Sequence, residues 1–230
     1  MKNYLLTIDS GNTNCKSKFF ELPNKETAFK SNVDFDVIIS DVANIELKSF
    51  IPLNENKNNI INIKDFIQEK IFLDMPLHYT TTVGADRVAQ AYYCFHHFNE
   101  NILLIDAGTF VTVDLVTPQG FQGGYIYPGL ELMLESFQKG KNLPALTARD
   151  FQSYLNQHNQ LPHSTNEAIL GSLKLTYEAF MAQPQFENAK IILTGGSAEQ
   201  FSQIFKTAVL DKELNFKSLL FIYQQTTKEN

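Results

Sequence analysis

The sequence predicts an α/β protein built from two like halves, and three observations carry that expectation. Two short apolar runs, Leu5-Leu6-Thr7-Ile8 and Ile102-Leu103-Leu104-Ile105, each end in an aspartate, a small residue and a glycine. Each is followed by a second strand-like run, so the same strand-turn-strand unit opens both halves. Stretches with helical apolar spacing lie between these sheet elements.

Taken in order, Leu5 to Ile8 is a short apolar run closed by turn residues, Asp9-Ser10-Gly11-Asn12, as a strand buried in a sheet would be. Lys16 to Glu21 returns through Phe19-Phe20 as its hairpin partner. The Asn- and Lys-rich segment from Asn54 to Asn62 reads as an exposed loop. Ala85 to Phe98 is apolar at Val88, Ala91, Tyr92 and Phe95, which gives a helix one buried face. The boundary between the halves falls just before Asn101, dividing the chain into 1–100 and 101–230.

In the second half, Val111 to Val116 alternates and stops at Pro118-Gln119-Gly120, a strand and its turn. Leu130 to Gln138 follows Pro128-Gly129 and precedes Gly140, which brackets a helix. Its Leu132, Met133, Leu134 and Phe137 suit a helix packing face or a dimer face. Asn166 to Met181 repeats the helical spacing behind Ser164-Thr165-Asn166-Glu167, a capping-box pattern. Lys190 to Thr194 reads as a buried strand, Gly195-Gly196 as a tight turn, Ser197 onward as a helix, and Thr226 to Asn230 as a frayed tail.

Composition narrows the partners. The 230 residues carry a formal net charge of -6, with the positive charges scattered, which opposes a general nucleic-acid binder. Two cysteines, Cys15 and Cys94, are too few for a disulfide scaffold or a structural zinc site of their own. No run approaches the ~20 apolar residues of a membrane span, and the short run before Asp9 does not make a signal-peptide core. The expectation is a soluble, cytoplasmic protein acting on small metabolites.

Four segments could carry chemistry. Asp9-Ser10-Gly11-Asn12-Thr13-Asn14-Cys15-Lys16 supplies a carboxylate, glycine, hydroxyl and amide donors and a cation within one turn. A phosphoryl-transfer site needs that set, although a polar hairpin turn uses the same residues. Asp106-Ala107-Gly108-Thr109 is a second oxygen-rich turn with the same ambiguity. Gly84-Ala85-Asp86-Arg87 opens a helix, where Asp86 is placed either to accept a hydroxyl proton or simply to complement the helix dipole. Leu193-Thr194-Gly195-Gly196-Ser197 allows close backbone approach to a flat ligand, or is a plain strand-to-helix turn. The pair His96-His97 points to two faces of its helix, which does not suit one metal.

In these segments the chain resembles the type III pantothenate kinases. Asp9 to Lys16 is similar to that family's first phosphate motif, and Gly84-Ala85-Asp86-Arg87 to its hallmark tetrapeptide. Asp106 to Thr109, with Gly123-Gly124-Tyr125-Ile126-Tyr127-Pro128-Gly129-Leu130, resembles its second phosphate block, and Thr194-Gly195-Gly196 its adenosine motif. The motifs occur in the family's order from residue 4 to about residue 200. The resemblance implies two duplicated ribonuclease-H-like domains with a cleft between them, as in the acetate and sugar kinase, Hsp70 and actin superfamily.

It also implies ATP-dependent phosphorylation of pantothenate by a homodimer that needs Mg2+ and a monovalent cation, K+ or NH4+. By position, Asp9, Ser10, Gly11, Asn12, Thr13, Asn14, Cys15, Lys16 and Thr109 would contact ATP, with Asp9 also on magnesium. Asp86 would be the general base, and Tyr79, Gly84, Ala85, Asp86, Arg87 and Thr165 would meet pantothenate. Asp106 would bind the monovalent cation. The three acids Asp9, Asp86 and Asp106 are expected to meet in one crevice.

Departures from the family are local. Leu77-His78-Tyr79-Thr80-Thr81-Thr82-Val83 stands where an aromatic and an Asn-Pro pair are usual, so Tyr79 is two places late. Cys15 replaces an aliphatic residue and is expected to be a buried, inert thiol. The short chain implies trimmed loops or a missing final helix. Two other readings of the same fold are a kinase for a different small metabolite and a non-catalytic transcriptional accessory regulator.

Overall fold

The computed structural model describes residues 2–11, 13–30, 33–41, 58–156 and 161–227. The chain forms two compact units, the first from Met1–Asn99, Val116–Gly123 and Glu213–Asn230, the second from Glu100–Leu115 and Gly124–Lys212.

The first unit is built on a five-stranded sheet of β1 (Tyr4–Ser10), β2 (Cys15–Glu21), β3 (Lys25–Thr27), β4 (Phe35–Asp41) and β5 (Ile60–Asn62), in the order β3-β2-β1-β4-β5. β1 pairs antiparallel with β2, from Tyr4 opposite Glu21 to Ser10 opposite Cys15. On its other side it pairs parallel with β4, where Asp9 faces Ser40 in register. Alternation then sorts the side chains: Leu6 and Ile8 of β1 pack with Phe19, Phe35, Val37 and Ile39 on one face. A three-stranded sheet of β6 (Ile67–Gln68), β7 (Ile71–Phe72) and β8 (Met75–Pro76) leads into α1 (Ala85–His97).

The second unit repeats the plan. β9 (Ile102–Ala107), β10 (Phe110–Thr117), β11 (Gly120–Pro128), α2 (Leu130–Phe137), α3 (Ala148–Leu155), α4 (Thr165–Met181), β12 (Lys190–Thr194), α5 (Ala198–Phe201) and β13 (Val209–Leu210) follow in sequence. Their sheet runs β11-β10-β9-β12-β13, which is the first sheet's order transposed strand for strand. Asp9 and Asp106 are each the last residue but one of the central strand. The core gathers Leu103, Ile105, Val111, Leu170, Tyr177 and Phe201, among others, between this sheet and its helices.

The chain then returns to the first unit as α6 (Leu214–Thr227), which packs on α1, β1 and β4. Leu214, Phe216, Ser218, Leu219, Ile222 and Tyr223 are its buried residues, and the Tyr223 hydroxyl donates a 2.7 Å hydrogen bond to Asp36 of β4.

Several expectations change. A helix, α6, covers the last of the described residues. Thr226 and Thr227 belong to it rather than to a frayed tail, and 228–230 lie outside the described residues. Within Asn54 to Asn62, residues 60–62 form strand β5 through parallel pairing with β4, while 54–57 lie outside the described residues. A single break before Asn101 does not partition the chain, because 116–123 and α6 group with the first unit. The 116–123 tip is held there by a Leu77–Phe121 bridge and a 2.9 Å bond from the His78 N–H to the Phe121 carbonyl. Ser164 caps α4 by accepting from the Glu167 N–H, but the Glu167 side chain accepts from the His163 N–H, so only half of the capping box forms. The complete box is at Thr147 and Asp150, ahead of α3.

Candidate active site

The first turn is tied by the Gly11 N–H donating 3.0 Å to the Asn14 carbonyl. It leaves Asp9 on the sheet face that meets α6, opposite Lys16 in the β1–β2 register. Asn215 of α6 donates from Nδ2 to Asp9 Oδ2 at 2.9 Å. Gln90 of α1 in turn donates from Nε2 to Asn215 Oδ1. Burial pushes the Asp9 carboxyl up to about 6, and the nearby Asp86 charge adds to the rise; the Asn215 bond and the Lys16 charge oppose it.

Asp86 lies in the first turn of α1, and its Oδ1 accepts the Arg87 N–H at 2.8 Å. The carboxylate thereby folds back over Gly84, where an added Cβ would come within 2.5 Å of that same oxygen. Glycine at 84 is what allows the fold-back. Burial raises the Asp86 carboxyl above its usual 3.8, against the Arg87 N–H and guanidinium, which lower it. Arg87 is itself buried, at 4% exposure, with its guanidinium 5.2 Å from the Tyr79 ring centroid and 5.8 Å from that of Phe121. An arginine at a helix start is unfavourable for the helix dipole, and here two aromatic rings supply its counterpart.

In the second unit the other two segments come together, with Gly129 beside them. The Gly108 N–H donates to the Phe110 carbonyl at 3.1 Å, closing the turn after Asp106, and the Gly129 N–H donates to Thr109 O at 2.8 Å. Gly195 has φ +95°, and a Cβ there would collide with Asp106 Oδ1 and the Ala107 carbonyl, which also accepts the Ser197 N–H. The Gly195-Gly196 turn therefore seats directly on the end of β9.

The sequence-derived residues divide between the units. Asp9, Ser10, Gly11, Thr13, Asn14, Cys15, Lys16, Tyr79 and Gly84 to Arg87 are in the first; Asp106, Thr109 and Thr165 are in the second. Asn12 lies outside the described residues. Thr165 is exposed at the first position of α4, and the cap is its neighbour Ser164. Cys15 is half-buried rather than buried, and burial together with the Asp9 and Asp41 charges pushes its thiol up, away from reactivity. The sequence reading passed over Gln90, Asn215 and Ser40. Gln90 carries a signal, lying one helical turn beyond Asp86; Asn215 shows only as an amide in an otherwise apolar helix start.

Two sheets of one topology, each ending its central strand in an acidic, glycine-bearing turn, define an α/β protein with two ribonuclease-H-like domains. A solved structure from Campylobacter jejuni, described as a conserved Baf family transcriptional activator, superposes with a TM-score of 0.65 at 20% identity, covering 97% of this chain and 99% of that one. A Sinorhizobium meliloti structure described as a 2-dehydro-3-deoxygalactonokinase gives 0.56 at 9% identity, covering 96% and 98%. At these identities both speak for the fold alone. The family model for type III pantothenate kinase matches residues 24–183. The type III pantothenate kinase of Flavobacterium psychrophilum is 32% identical over 96% of this chain and 98% of its own length. The chain belongs to the type III pantothenate kinase family.

Proposed function

We propose that this chain transfers the γ-phosphoryl group of ATP to the hydroxyl of pantothenate, giving 4'-phosphopantothenate. The observation that carries the reading is Asp86 at the start of α1, a carboxylate bound by the neighbouring N–H and flanked by a buried arginine on two aromatic rings. As general base, Asp86 takes the hydroxyl proton as the oxygen attacks the γ-phosphorus. Arg87 and Tyr79 line the pantothenate pocket with Gly84 and Ala85.

Asp9 to Lys16 hold the ATP phosphates, through backbone N–H groups, short polar side chains and the Lys16 ammonium. The surroundings of Asp9 fit magnesium. This hard cation takes oxygen ligands and is commonly held by one or two carboxylates with water and phosphate. Beside Asp9 in register, the Ser40 hydroxyl is buried without a protein partner among the described residues. Bound there, magnesium would neutralise charge developing on the phosphates. Asp106 and the Ala107 carbonyl, both at Gly195, form an oxygen donor set suited to potassium or ammonium.

The exposed Tyr125 and Ile126 on edge strand β11 support a homodimer, since an uncovered apolar edge favours association. Among the described residues no helix is long and apolar enough to cross a membrane. The regulator alternative has no residue in its favour. A coupled ATPase assay with and without pantothenate, in potassium and in sodium, tests the reading. Turnover that pantothenate does not stimulate would refute it.

A further inference from the structure

We propose that Asn215 is a positioning residue for Asp9, clamped in orientation by Gln90 from the helix that carries Asp86. The inference rests on the reading of Asp9 as the residue that holds the magnesium nucleotide. An ionised carboxylate only accepts hydrogen bonds, so Asp9 must meet the amide end of Asn215 rather than its carbonyl. Gln90 enforces that choice by donating to Asn215 Oδ1, which turns Asn215 Nδ2 toward Asp9 Oδ2 at 2.9 Å. Gln90 is only 1% exposed, so its side chain is held in the interior beside Asn215.

The clamp spans three elements, α1, α6 and β1, and Gln90 is four residues, about one turn, beyond Asp86. One oxygen of Asp9, Oδ2, is thereby assigned to Asn215. A second observation marks the same place. Ser40 is 2% exposed, stands opposite Asp9 in the parallel register and has no protein partner for its hydroxyl among the described residues. Side chains alternate along β4, and Asp36 on that strand meets Tyr223 of α6. Ser40 therefore lies on the α6 face, beside Asp9. A buried hydroxyl next to an oriented carboxylate is a polar site with a bond still to be made.

The experiment is calorimetric binding of Mg-ADP to the full-length protein, with pantothenate binding and melting temperature measured alongside. Asn215→Ala is expected to weaken Mg-ADP about tenfold or more, as loss of a hydrogen bond to a charged group does. Pantothenate affinity is expected to hold within about twofold. Gln90→Glu replaces the clamping donor with an acceptor and so turns the Asn215 amide round; it should weaken Mg-ADP without removing bulk. Gln90→Ala combined with Asn215→Ala should cost no more than Asn215→Ala alone, because Gln90 acts through Asn215. Asn215→Ala with a lowered melting temperature but unchanged Mg-ADP affinity would make the bond purely structural and overturn the inference. Asp9→Asn serves as the reference. If it loses Mg-ADP while Asn215→Ala and Gln90→Glu do not, the clamp alone is wrong. If Asp9→Asn binds Mg-ADP normally, the metal reading of Asp9 fails and takes the clamp with it.

Discussion

The Arg87 guanidinium sits 5.2 Å from the centre of the Tyr79 ring. That contact is the basis for proposing that both residues line the pantothenate pocket. Arg87→Lys exchanges a planar cation that stacks for a compact one that does not. A desolvated cation–π contact is worth up to about 2 kcal/mol, so KM for pantothenate should rise roughly tenfold or more, with kcat less affected. Tyr79→Phe, which keeps the ring, should stay near wild type while Tyr79→Ala should not; steady-state kinetics with varied pantothenate decide.

Asp86→Asn removes the proposed base while keeping its shape. Turnover should fall by about two to four orders of magnitude with pantothenate affinity retained. The base works ionised, and burial holds its carboxyl above the usual 3.8. Activity should therefore fail on the acid side at a pH higher than an ordinary aspartate would dictate. Turnover of Asp86→Asn close to wild type would dismiss the assignment.

A separate cluster at the far end of α1 sets a pH-dependent part of the stability. Asp74 Oδ1 accepts from the Tyr92 hydroxyl at 2.7 Å and lies 3.1 Å from His96 Nε2. Burial pushes this carboxyl up, but the bonds from Tyr92 and His96 with the His96 charge outweigh it, so it ends below the usual 3.8. A carboxyl lowered on folding stabilises above its unfolded value and loses that contribution as pH falls through the folded one. In urea unfolding, the gap between wild type and Asp74→Asn should be open at neutral pH and narrow below about pH 4. A gap independent of pH would exclude the ionised carboxylate as its cause.

Gly195→Ala should be costly. The site has φ +95°, and the new methyl meets Asp106 and the end of β9. A destabilisation of about 1–3 kcal/mol is expected from backbone strain before any repacking. ATP affinity should fall with it, measurable by nucleotide titration at a temperature where the variant is folded.

Tyr223→Phe strips Asp36 of the hydroxyl that satisfies it in the interior, leaving Lys2 at 3.6 Å. An unsatisfied buried acceptor costs about 1–3 kcal/mol, visible as a lower denaturation midpoint with an unchanged slope.

Much of the sheet framework was legible, for a physical reason. β1, β9 and β12 are short apolar runs ended by Asp, Gly or Gly-Gly, and the two hairpin partners alternate or end in turn residues. α1 and α4 show clear helical spacing, and their starts are marked by Gly84 and Ser164. Elements without such punctuation escaped. β4 is buried on both faces, so Phe35 to Asp41 shows no alternation. β5 is three residues long and gains its strand character from β4 alone. α6 mixes aromatic and β-branched residues with polar ones, which blurs its buried face. For the candidate site, turn chemistry singles out Asp9 and Asp106, and the helix start singles out Asp86. Nothing local singles out Asn215, because its meaning depends on Asp9, 206 positions earlier.

The first unit's dependence on α6 also fixes when that unit can be finished. At synthesis rates of about 5–20 residues per second, its opening strands wait several seconds or more for the segment that covers them. All of the second unit leaves the ribosome in that interval. The unit that begins first is thus the later one to close, and the nascent β1–β4 surface must stay out of trouble until α6 has been made.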